Sequence, residues 1–218
     1  MRLTIVEPSY TIMRAPTRED LKFIELCGRT CYRSEDRITD TSASKFVRGL
    51  RESRHESVIE HASATVRLVC SRSCSHQLVR HRLASYSQES QRFCNGAKKG
   101  FTFICPVSIG IPPGTYQHPY PENFTAKQLY WLKCRFQECC EYMDAIEAGE
   151  KPEDARECLP NATKTEIVMT CNMRMWRHVF TERCAPAAQA QIRKLMQGVL
   201  REFNDITPEL FDDLMEKL

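Results

Sequence analysis

The sequence lacks any apolar run long enough to span a membrane, and its first apolar stretch is interrupted early by Glu7 and Pro8. A signal peptide or a transmembrane helix needs an uninterrupted apolar core, so neither is expected. Glycine is also scarce, with 8 residues in 218, and it forms neither a phosphate-binding loop nor a Rossmann pattern. We therefore expect a cytoplasmic protein without a membrane partner.

A large excess of either charge is absent too. The chain has 31 Lys and Arg against 28 Asp and Glu, which gives a formal net charge of +3. Such a small charge does not attract nucleic acid through bulk electrostatics, so no nucleic-acid partner is expected and any positive site must be local. With 42% hydrophobic residues, the chain is expected to form one domain over residues 1–218.

Cysteine pairs of the Cys-x2-Cys type are missing, although the sequence contains 12 cysteines. Structural zinc sites commonly have such pairs, so a metal site on Cys70, Cys74 and His76, with His81 downstream, is the less favoured alternative and no metal is expected. Without a secretory signal, reduced thiols are expected rather than disulfides. Five of them should be buried as small apolar side chains: Cys105, Cys134, Cys139, Cys140 and Cys158.

The apolar residues that are present recur with two different periods, which predicts both strands and helices. Strands are expected at residues 2–7, 62–70, 101–105 and 163–171. Helices are expected at residues 17–31, 41–54, 125–148, 152–159, 172–184, 187–203 and 208–217, with a short one near residue 75. Residues 106–123 are rich in proline and predict a long irregular loop. The expected fold class is α+β, with a mixed, partly antiparallel sheet packed with long helices in a single domain.

Residues 77–92, which we call the basic segment, contain three Arg, one His, three Gln and three Ser. Guanidinium groups hold phosphate through paired hydrogen bonds, and amide or hydroxyl groups recognise what carries the phosphate. The segment therefore predicts a site for a phosphorylated ligand. A solvated basic surface is the alternative, since runs of charge commonly face water.

A second group of cations lies between residues 156 and 183, and titratable residues also cluster at residues 55–61. The chain offers neither the paired carboxylates of a glycosidase nor a Ser-His-Asp order with a nucleophile elbow. Dense fixed cations without a nucleophile or a metal predict several bound anions, with the chemistry carried by a cofactor.

The order of these charged residues resembles a family signature. Arg80-His81-Arg82 is followed, after seven residues, by Ser90 and then Arg92, as in the flavin-dependent thymidylate synthases. Three more blocks resemble that family: His55-Glu56-x3-Glu60-His61, Ala155-Arg156-x2-Leu159-Pro160 and Asn172-x-Arg174-x3-His178-x4-Arg183. The resemblance extends from about residue 20 to residue 200 and departs from the family pattern at Cys31 and Gln88, where Ser and Glu are common.

The resemblance implies an enzyme that converts dUMP to dTMP with 5,10-methylenetetrahydrofolate as carbon donor, FAD as redox carrier and NADPH as reductant. It also implies a homotetramer whose subunits share active sites. The positions that match FAD contacts are Cys31, His55, Ser57, Arg80, His81, Arg82, Gln88, Asn172, Arg174 and His178. The positions that match dUMP contacts are Gln77, Arg80, Gln88, Glu89, Ser90, Gln91, Arg92, Arg156 and Arg183.

Within this resemblance, we assign catalysis to Arg183. A guanidinium at the pyrimidine edge stabilises the negative charge that develops on N3 and O2 when C5 becomes nucleophilic. Ser90 as a covalent nucleophile is less favoured, because a Ser needs an adjacent base and the basic segment supplies mainly cations. Catalysis without a Cys nucleophile is expected.

Two other functions are compatible with the same residues. The basic segment would bind RNA or DNA if Tyr86, Phe93 and Trp176 stacked on bases, but the near-neutral net charge weighs against this alternative. A flavoprotein oxidoreductase without methyl transfer is the other alternative.

Overall fold

The computed structural model describes residues 1–94 and 96–218. The α-helices are α1 Arg18–Thr30, α2 Ser42–Glu52, α3 Arg72–Leu78, α4 Gly96–Lys99, α5 Ala126–Glu147, α6 Pro152–Ala155, α7 Met173–Arg183, α8 Ala190–Ile206 and α9 Pro208–Met215. The β-strands are β1 Leu3–Val6, β2 Ser9–Arg14, β3 Ser63–Ser71, β4 Ala84–Gln88, β5 Phe101–Ile104, β6 Gly114–Tyr116 and β7 Lys164–Asn172. Short 3₁₀ helices are formed by Glu35–Arg37, Val58–His61 and Arg156–Cys158. The α+β class is therefore confirmed.

The chain divides into two compact units. The first unit consists of Met1–Ser9, Leu68–Leu78 and Ser87–Ile167. It contains β1, β5 and β6 and the helices α3 to α6. The second unit consists of Tyr10–Arg67, Val79–Tyr86 and Val168–Leu218, and it contains α1, α2, α7, α8 and α9.

A three-stranded sheet in the first unit has the order β5-β1-β6. β1 runs parallel to β5, with Leu3 opposite Phe101, and antiparallel to β6, with Leu3 opposite Tyr116. β6 lies inside residues 106–123, so the prediction of a wholly irregular loop is wrong at residues 114–116. The proline-rich sequence hides this strand because its hydrogen bonds come from pairing with distant β1, and no local pattern records that pairing.

The core of the first unit is covered by α5, which packs Trp131, Leu132 and Tyr142 onto the three-stranded sheet. α5 begins where the sequence predicts because Thr125 and Gln128 cap each other. The Thr125 hydroxyl accepts a hydrogen bond from the backbone N–H of Gln128, and the Gln128 side-chain oxygen accepts one from the backbone N–H of Thr125. It ends before Gly149, which has a φ of 94°, a backbone conformation that glycine adopts more readily than other residues.

A second sheet has the order β2-β3-β7-β4. β3 and β7 lie within about one residue of their predicted bounds. Neither edge strand, β2 nor β4, was predicted, and β4 lies within the basic segment. β4 has the sequence ASYSQ, which carries little apolar signal, so its strand conformation depends on pairing with β7.

Aromatic side chains of three helices form the core of the second unit. Trp176 and Phe180 of α7 stack at 5.5 Å between ring centroids, and both contact Phe203 of α8. Phe211 of α9 packs edge-on against Phe180 at 5.7 Å. These contacts explain why all three helices present one apolar face to the same core.

Helix ends in the second unit agree only partly with the predictions. Thr17 caps α1 in a reciprocal arrangement with Asp20, so this helix begins within a residue of the predicted bound. α8 begins at Ala190 rather than at residue 187. Thr207 does not cap α9 with its side chain, because its hydroxyl donates to the Phe203 carbonyl, and Thr41 makes no capping bond to α2.

The cysteines in the described part of the chain form no disulfide bond. Of the five thiols predicted to be buried, Cys139 is buried and the other four are partly exposed: Cys105, Cys134, Cys140 and Cys158. Within residues 1–94 and 96–218, no helix has the length and apolar character required to cross a membrane.

Candidate active site

The larger cavity of the second unit has a volume of about 880 Å³ and is lined by residues of α1, α2 and the turn after α2. It brings together four residues that the sequence assigned to FAD contacts: Cys31, His55, Ser57 and Arg174. Cofactor pockets of several hundred cubic ångströms are typical of enzymes. Arg174, which is more than a hundred residues away from Cys31, His55 and Ser57 in the sequence, thus lines the same cavity as these three residues.

Gly28 permits the close packing of α1 and α2 at this cavity. A Cβ at position 28 would lie 2.7 Å from Cε1 of Phe46 and 3.0 Å from Cγ1 of Val58. Both of those residues line the cavity. Any side chain at position 28 would consequently move the cavity wall.

Positive charge predominates around the larger cavity. One carboxylate, Glu56, faces four cations: Arg29, Lys45, Arg54 and Arg174. The position of Arg29 is fixed, since its Nε and Nη2 donate to Oε1 of Glu25 at 3.1 and 2.7 Å. Its guanidinium also lies 4.6 Å from the centre of the Phe46 ring. Because Glu25 pairs with Arg29 and Glu60 pairs with Arg174, the excess of positive charge at this wall is smaller than the lining residues alone indicate.

The smaller cavity of the second unit has a volume of about 560 Å³ and shares Glu56 and Arg174 with the larger one. Two further residues predicted to contact FAD, Asn172 and His178, line it. Asn172 is also the N-cap of α7, because its Oδ1 accepts a hydrogen bond from the Met175 N–H at 2.9 Å. The cap fixes where α7 begins and thus which side chains reach the cavity.

Arg174 is held by two acids that sequence reasoning did not assign to the site. Its Nη1 donates to Oε1 of Glu60 at 2.6 Å, and its Nε lies 3.8 Å from Oε2 of Glu56. The hydrogen bond to Glu60 raises the pKa of the Arg174 guanidinium, so the cation is permanent. The spacing of Glu56 and Glu60 around Val58 and Ile59 was visible in the sequence, but the pattern did not reveal their partner.

The Arg80-His81-Arg82 motif points its side chains in different directions. Arg80 and Arg82 are exposed, whereas His81 is only 5% exposed. The Nε of Arg183 donates to Nε2 of His81 at 3.0 Å, and the His178 ring packs edge-on at 5.4 Å from the His81 ring. Burial, followed by the nearby Arg183 and His178, lowers the pKa of His81 to about 4. His81 is therefore neutral at physiological pH.

Several predicted dUMP contacts lie in the first unit, where Gln88 is tied to two neighbours. Its Nε2 donates to Oγ of Ser75 at 2.9 Å and to Oγ1 of Thr165 at 3.2 Å. Gln77 donates from Nε2 to the Ser73 carbonyl at 3.3 Å. These bonds fix the amides at defined positions.

Glu153 links two arginines that the sequence assigned to dUMP contacts. The Nε of Arg92 donates to Oε2 of Glu153 at 2.7 Å, and the Nε of Arg156 donates to the Glu153 carbonyl at 3.0 Å. Ser90 Oγ accepts from the Arg92 backbone N–H at 3.2 Å. Arg92, Arg156 and Ser90 thus form one local cluster, which we call the Glu153 cluster.

Glu89 and Gln91 line a small cavity of about 220 Å³ in the first unit. Lys164, which also lines it, donates to Glu89 Oε2 at 3.1 Å and to Glu166 Oε1 at 2.7 Å. Burial alone would lower the pKa of Lys164, but the hydrogen bonds to Glu166 and Glu89 raise it. Sequence reasoning missed Lys164, because a lysine at a strand start carries no distinctive signal.

Arginines line both cavities and a separate cluster combines arginines with a hydroxyl group, and guanidinium groups of this kind suit phosphorylated ligands. Residues 13–209 match the family model described as thymidylate synthase complementing protein. The flavin-dependent thymidylate synthase of Geobacter sulfurreducens is 35% identical over 198 residues, covering 87% of this chain and 80% of that protein. The chain therefore belongs to the flavin-dependent thymidylate synthase family. The predicted family and enzyme class are confirmed, and neither alternative function is favoured.

Solved structures show the same fold at lower sequence identity. The UMP/dUMP methylase PolB from Streptomyces cacaoi, bound with 5-Br dUMP, has a TM-score of 0.77 and 20% identity, covering 98% of this chain and 97% of that one. Thymidylate Synthase X from Helicobacter pylori, with FAD and dUMP, has a TM-score of 0.73 and 18% identity, covering 95% and 98%.

Proposed function

We propose that the chain converts dUMP to dTMP, with 5,10-methylenetetrahydrofolate as carbon donor and NADPH as the reductant of a bound FAD. The family assignment supports this reaction. The observation that carries it further is the larger cavity, which gathers four separately predicted residues into one cation-lined wall: Cys31, His55, Ser57 and Arg174.

The residues of the two cavities suit FAD. Arg174 lines both and would neutralise the FAD diphosphate, while His55 and Ser57 would donate or accept hydrogen bonds. Asn172 and His178 would contact the part of FAD that reaches the smaller cavity. The remaining predicted FAD contacts complete the proposal: Cys31, Arg80, His81, Arg82 and Gln88. When bound, FAD supplies the redox chemistry.

The Glu153 cluster suits the dUMP phosphate. Arg92 and Arg156 both bond to Glu153 through their guanidinium groups, and the Ser90 hydroxyl accepts from the Arg92 main chain, so the cluster combines the donor types that a phosphate monoester requires. The other predicted contacts would bind the remainder of the nucleotide: Gln77, Arg80, Gln88, Glu89, Gln91 and Arg183.

The proposed catalytic role of Arg183 is electrostatic. Its guanidinium would stabilise the negative charge on N3 and O2 of the pyrimidine as C5 becomes nucleophilic. Because Arg183 is permanently cationic, this stabilisation requires no proton transfer by the side chain. A Cys nucleophile is not needed for this step.

We further propose that residues 1–218 act as one domain, and that the protein is a cytoplasmic homotetramer with active sites shared between subunits. The family resemblance supports the shared sites. Size-exclusion chromatography with light scattering tests the assembly, and a monomeric mass at micromolar concentration would contradict it.

The visible spectrum of the purified protein tests the central proposal. We expect a yellow protein that NADPH bleaches without oxygen, and release of tritium from dUMP labelled at C5 when methylenetetrahydrofolate is present. A protein that does not take up added FAD would contradict the proposal. A yellow protein that releases no tritium would instead support a flavoprotein oxidoreductase without methyl transfer.

A further inference from the structure

His81 differs from the two arginines that flank it. Arg80 and Arg82 face solvent, but the His81 ring is buried and faces Arg183. A buried imidazole must find hydrogen-bonding partners, and here its Nε2 accepts the Nε–H of Arg183 at 3.0 Å. Consequently, the middle residue of the motif is directed toward a protein side chain.

The hydrogen bond between Arg183 and His81 fixes the protonation state and the tautomer of the imidazole. Nε2 accepts a hydrogen bond only when it is unprotonated, so the single proton of the neutral ring must lie on Nδ1. Burial, followed by the positive charge of Arg183 and then by His178, lowers the pKa of His81 to about 4. The acceptor is therefore available over the whole physiological pH range.

The backbone around His81 is also anchored. The Tyr86 hydroxyl, on β4, donates to the His81 carbonyl at 2.9 Å. Burial is the main cause that raises the pKa of Tyr86 to about 12, so the phenol stays protonated and remains a donor. The His81 main chain is thereby tied to a strand.

We propose that His81 is a positioning residue for Arg183: its Nε2 holds the Nε edge of the guanidinium and so fixes the plane in which that group meets the substrate. A guanidinium carries five N–H donors in one plane, so fixing one edge restricts the direction of the others. This inference rests on the proposed catalytic role of Arg183, and it gives His81 a role beyond contact with FAD.

Substitutions at position 81 test the proposal. His81→Leu removes the acceptor, whereas the amide oxygen of His81→Gln reaches about where Nε2 lies. With FAD added to saturation, we expect His81→Leu to keep a KM for dUMP within about threefold, while kcat falls roughly 10- to 100-fold because a charge-stabilising group is misplaced. We expect His81→Gln to recover kcat to within about fivefold of wild type.

Other outcomes would overturn the inference. An unchanged kcat in His81→Leu would do so, as would equal loss of flavin from the Leu and Gln variants, which would show that FAD contact is the main role. If His81→Leu does not fold by circular dichroism, His81→Asn replaces it, because its amide is too short to reach Arg183 and should show the same loss of kcat.

The Arg183→Ala variant distinguishes the proposed catalytic role of Arg183 from the proposed positioning role of His81. Near wild-type turnover in Arg183→Ala would remove the proposed role of Arg183 and with it the reason for positioning. Low turnover in Arg183→Ala together with normal turnover in His81→Leu would overturn only the positioning role. We expect the double variant to be within about threefold of Arg183→Ala, since residues that act together are not additive.

Discussion

The guanidinium of Arg177 forms a two-point ion pair with Asp213, with Nη1 to Oδ1 and Nη2 to Oδ2 both at 2.8 Å. Arg177 is 8% exposed, and its Nε also donates to Glu56, which lines both cavities of the second unit. Asp213 lies on α9, beyond the residues that match the family model. The last helix is thus connected to the cavity wall through Arg177.

We expect Asp213→Asn to lower the free energy of unfolding by about 1.5 to 3 kcal/mol, because it removes the carboxylate that forms the two-point pair with a buried guanidinium, while the bond from Nε to Glu56 at 3.3 Å remains. The figure is below that for a fully buried pair, since the Asp213 side chain is 33% exposed. Denaturant unfolding measures the change, with Asp205→Asn, an exposed acid on α8, as the control. Equal stability of the two variants would contradict the role of the pair.

The Asp213 pair should also give a signature in acid. Burial alone would raise the pKa of Asp213, but the hydrogen bonds and charge of Arg177 hold it below its usual value. The stabilisation is therefore complete above the unfolded pKa of about 3.9 and is lost as pH falls through the lower folded pKa. We expect the stability difference between wild type and Asp213→Asn to shrink in that range. A difference that stays constant down to pH 2 would argue against this linkage.

Gly28 and Gly49 line the same cavity but should respond oppositely to a methyl group. A Cβ at position 28 would meet Phe46 at 2.7 Å, so Gly28→Ala should destabilise the protein by about 1 to 3 kcal/mol and weaken flavin retention. In the described part of the chain, no heavy atom outside the nearby backbone of α2 lies within 4 Å of a Cβ at position 49, so Gly49→Ala should be stabilising by about 0.5 to 1 kcal/mol. Thermal unfolding and flavin absorbance measure the stability and the flavin retention of both variants. Equal stability of Gly28→Ala and Gly49→Ala would contradict the predicted clash with Phe46.

The sequence predicted most helices because their signals are local. Thr17 with Asp20 and Thr125 with Gln128 are capping pairs three residues apart, so the starts of α1 and α5 were readable. β4 and β6 were missed because their hydrogen bonds come from distant strands. Edge strands with few apolar residues depend on tertiary pairing that composition does not encode.

The sequence likewise predicted residue types at the site better than their partners. The spacing of the cations indicated a phosphorylated ligand, yet nothing local showed that Glu153 joins Arg92 to Arg156. The inward direction of His81 was also hidden, because one residue between two exposed arginines has no periodic signal. Such contacts form only when segments far apart in the chain fold together.

Arg92 should be important for dUMP affinity. We expect Arg92→Ala to raise the KM for dUMP roughly 10- to 100-fold, since a hydrogen bond to a charged group contributes about 1.5 to 3 kcal/mol. Arg92→Lys should recover little, because an ammonium lacks the planar fork. Steady-state kinetics with varied dUMP measures both variants. A KM unchanged in Arg92→Ala would remove Arg92 from the phosphate site.

Cysteine should be dispensable for the chemistry. Burial raises the pKa of the Cys184 thiol to about 12, so it is not a thiolate at neutral pH. We expect Cys184→Ala and Cys94→Ala to keep tritium release within a few-fold of wild type, as the proposed mechanism requires no sulfur nucleophile. Complete loss of activity in either variant, with fold and flavin intact, would contradict this mechanism.

Arg183→Ala should lower kcat by roughly 100-fold or more, because it removes a preorganised cation from the position where charge develops on the pyrimidine. Arg183 is the last residue of α7, so truncation at its side chain should leave the helix and the flavin spectrum intact. A matched control is Arg193→Ala on α8, whose guanidinium bonds to the Pro186 carbonyl and which should keep wild-type turnover. Single-turnover tritium release isolates the activation of C5 from product release. A folded, flavin-loaded Arg183→Ala that releases tritium at the wild-type rate would show that another group stabilises the charge.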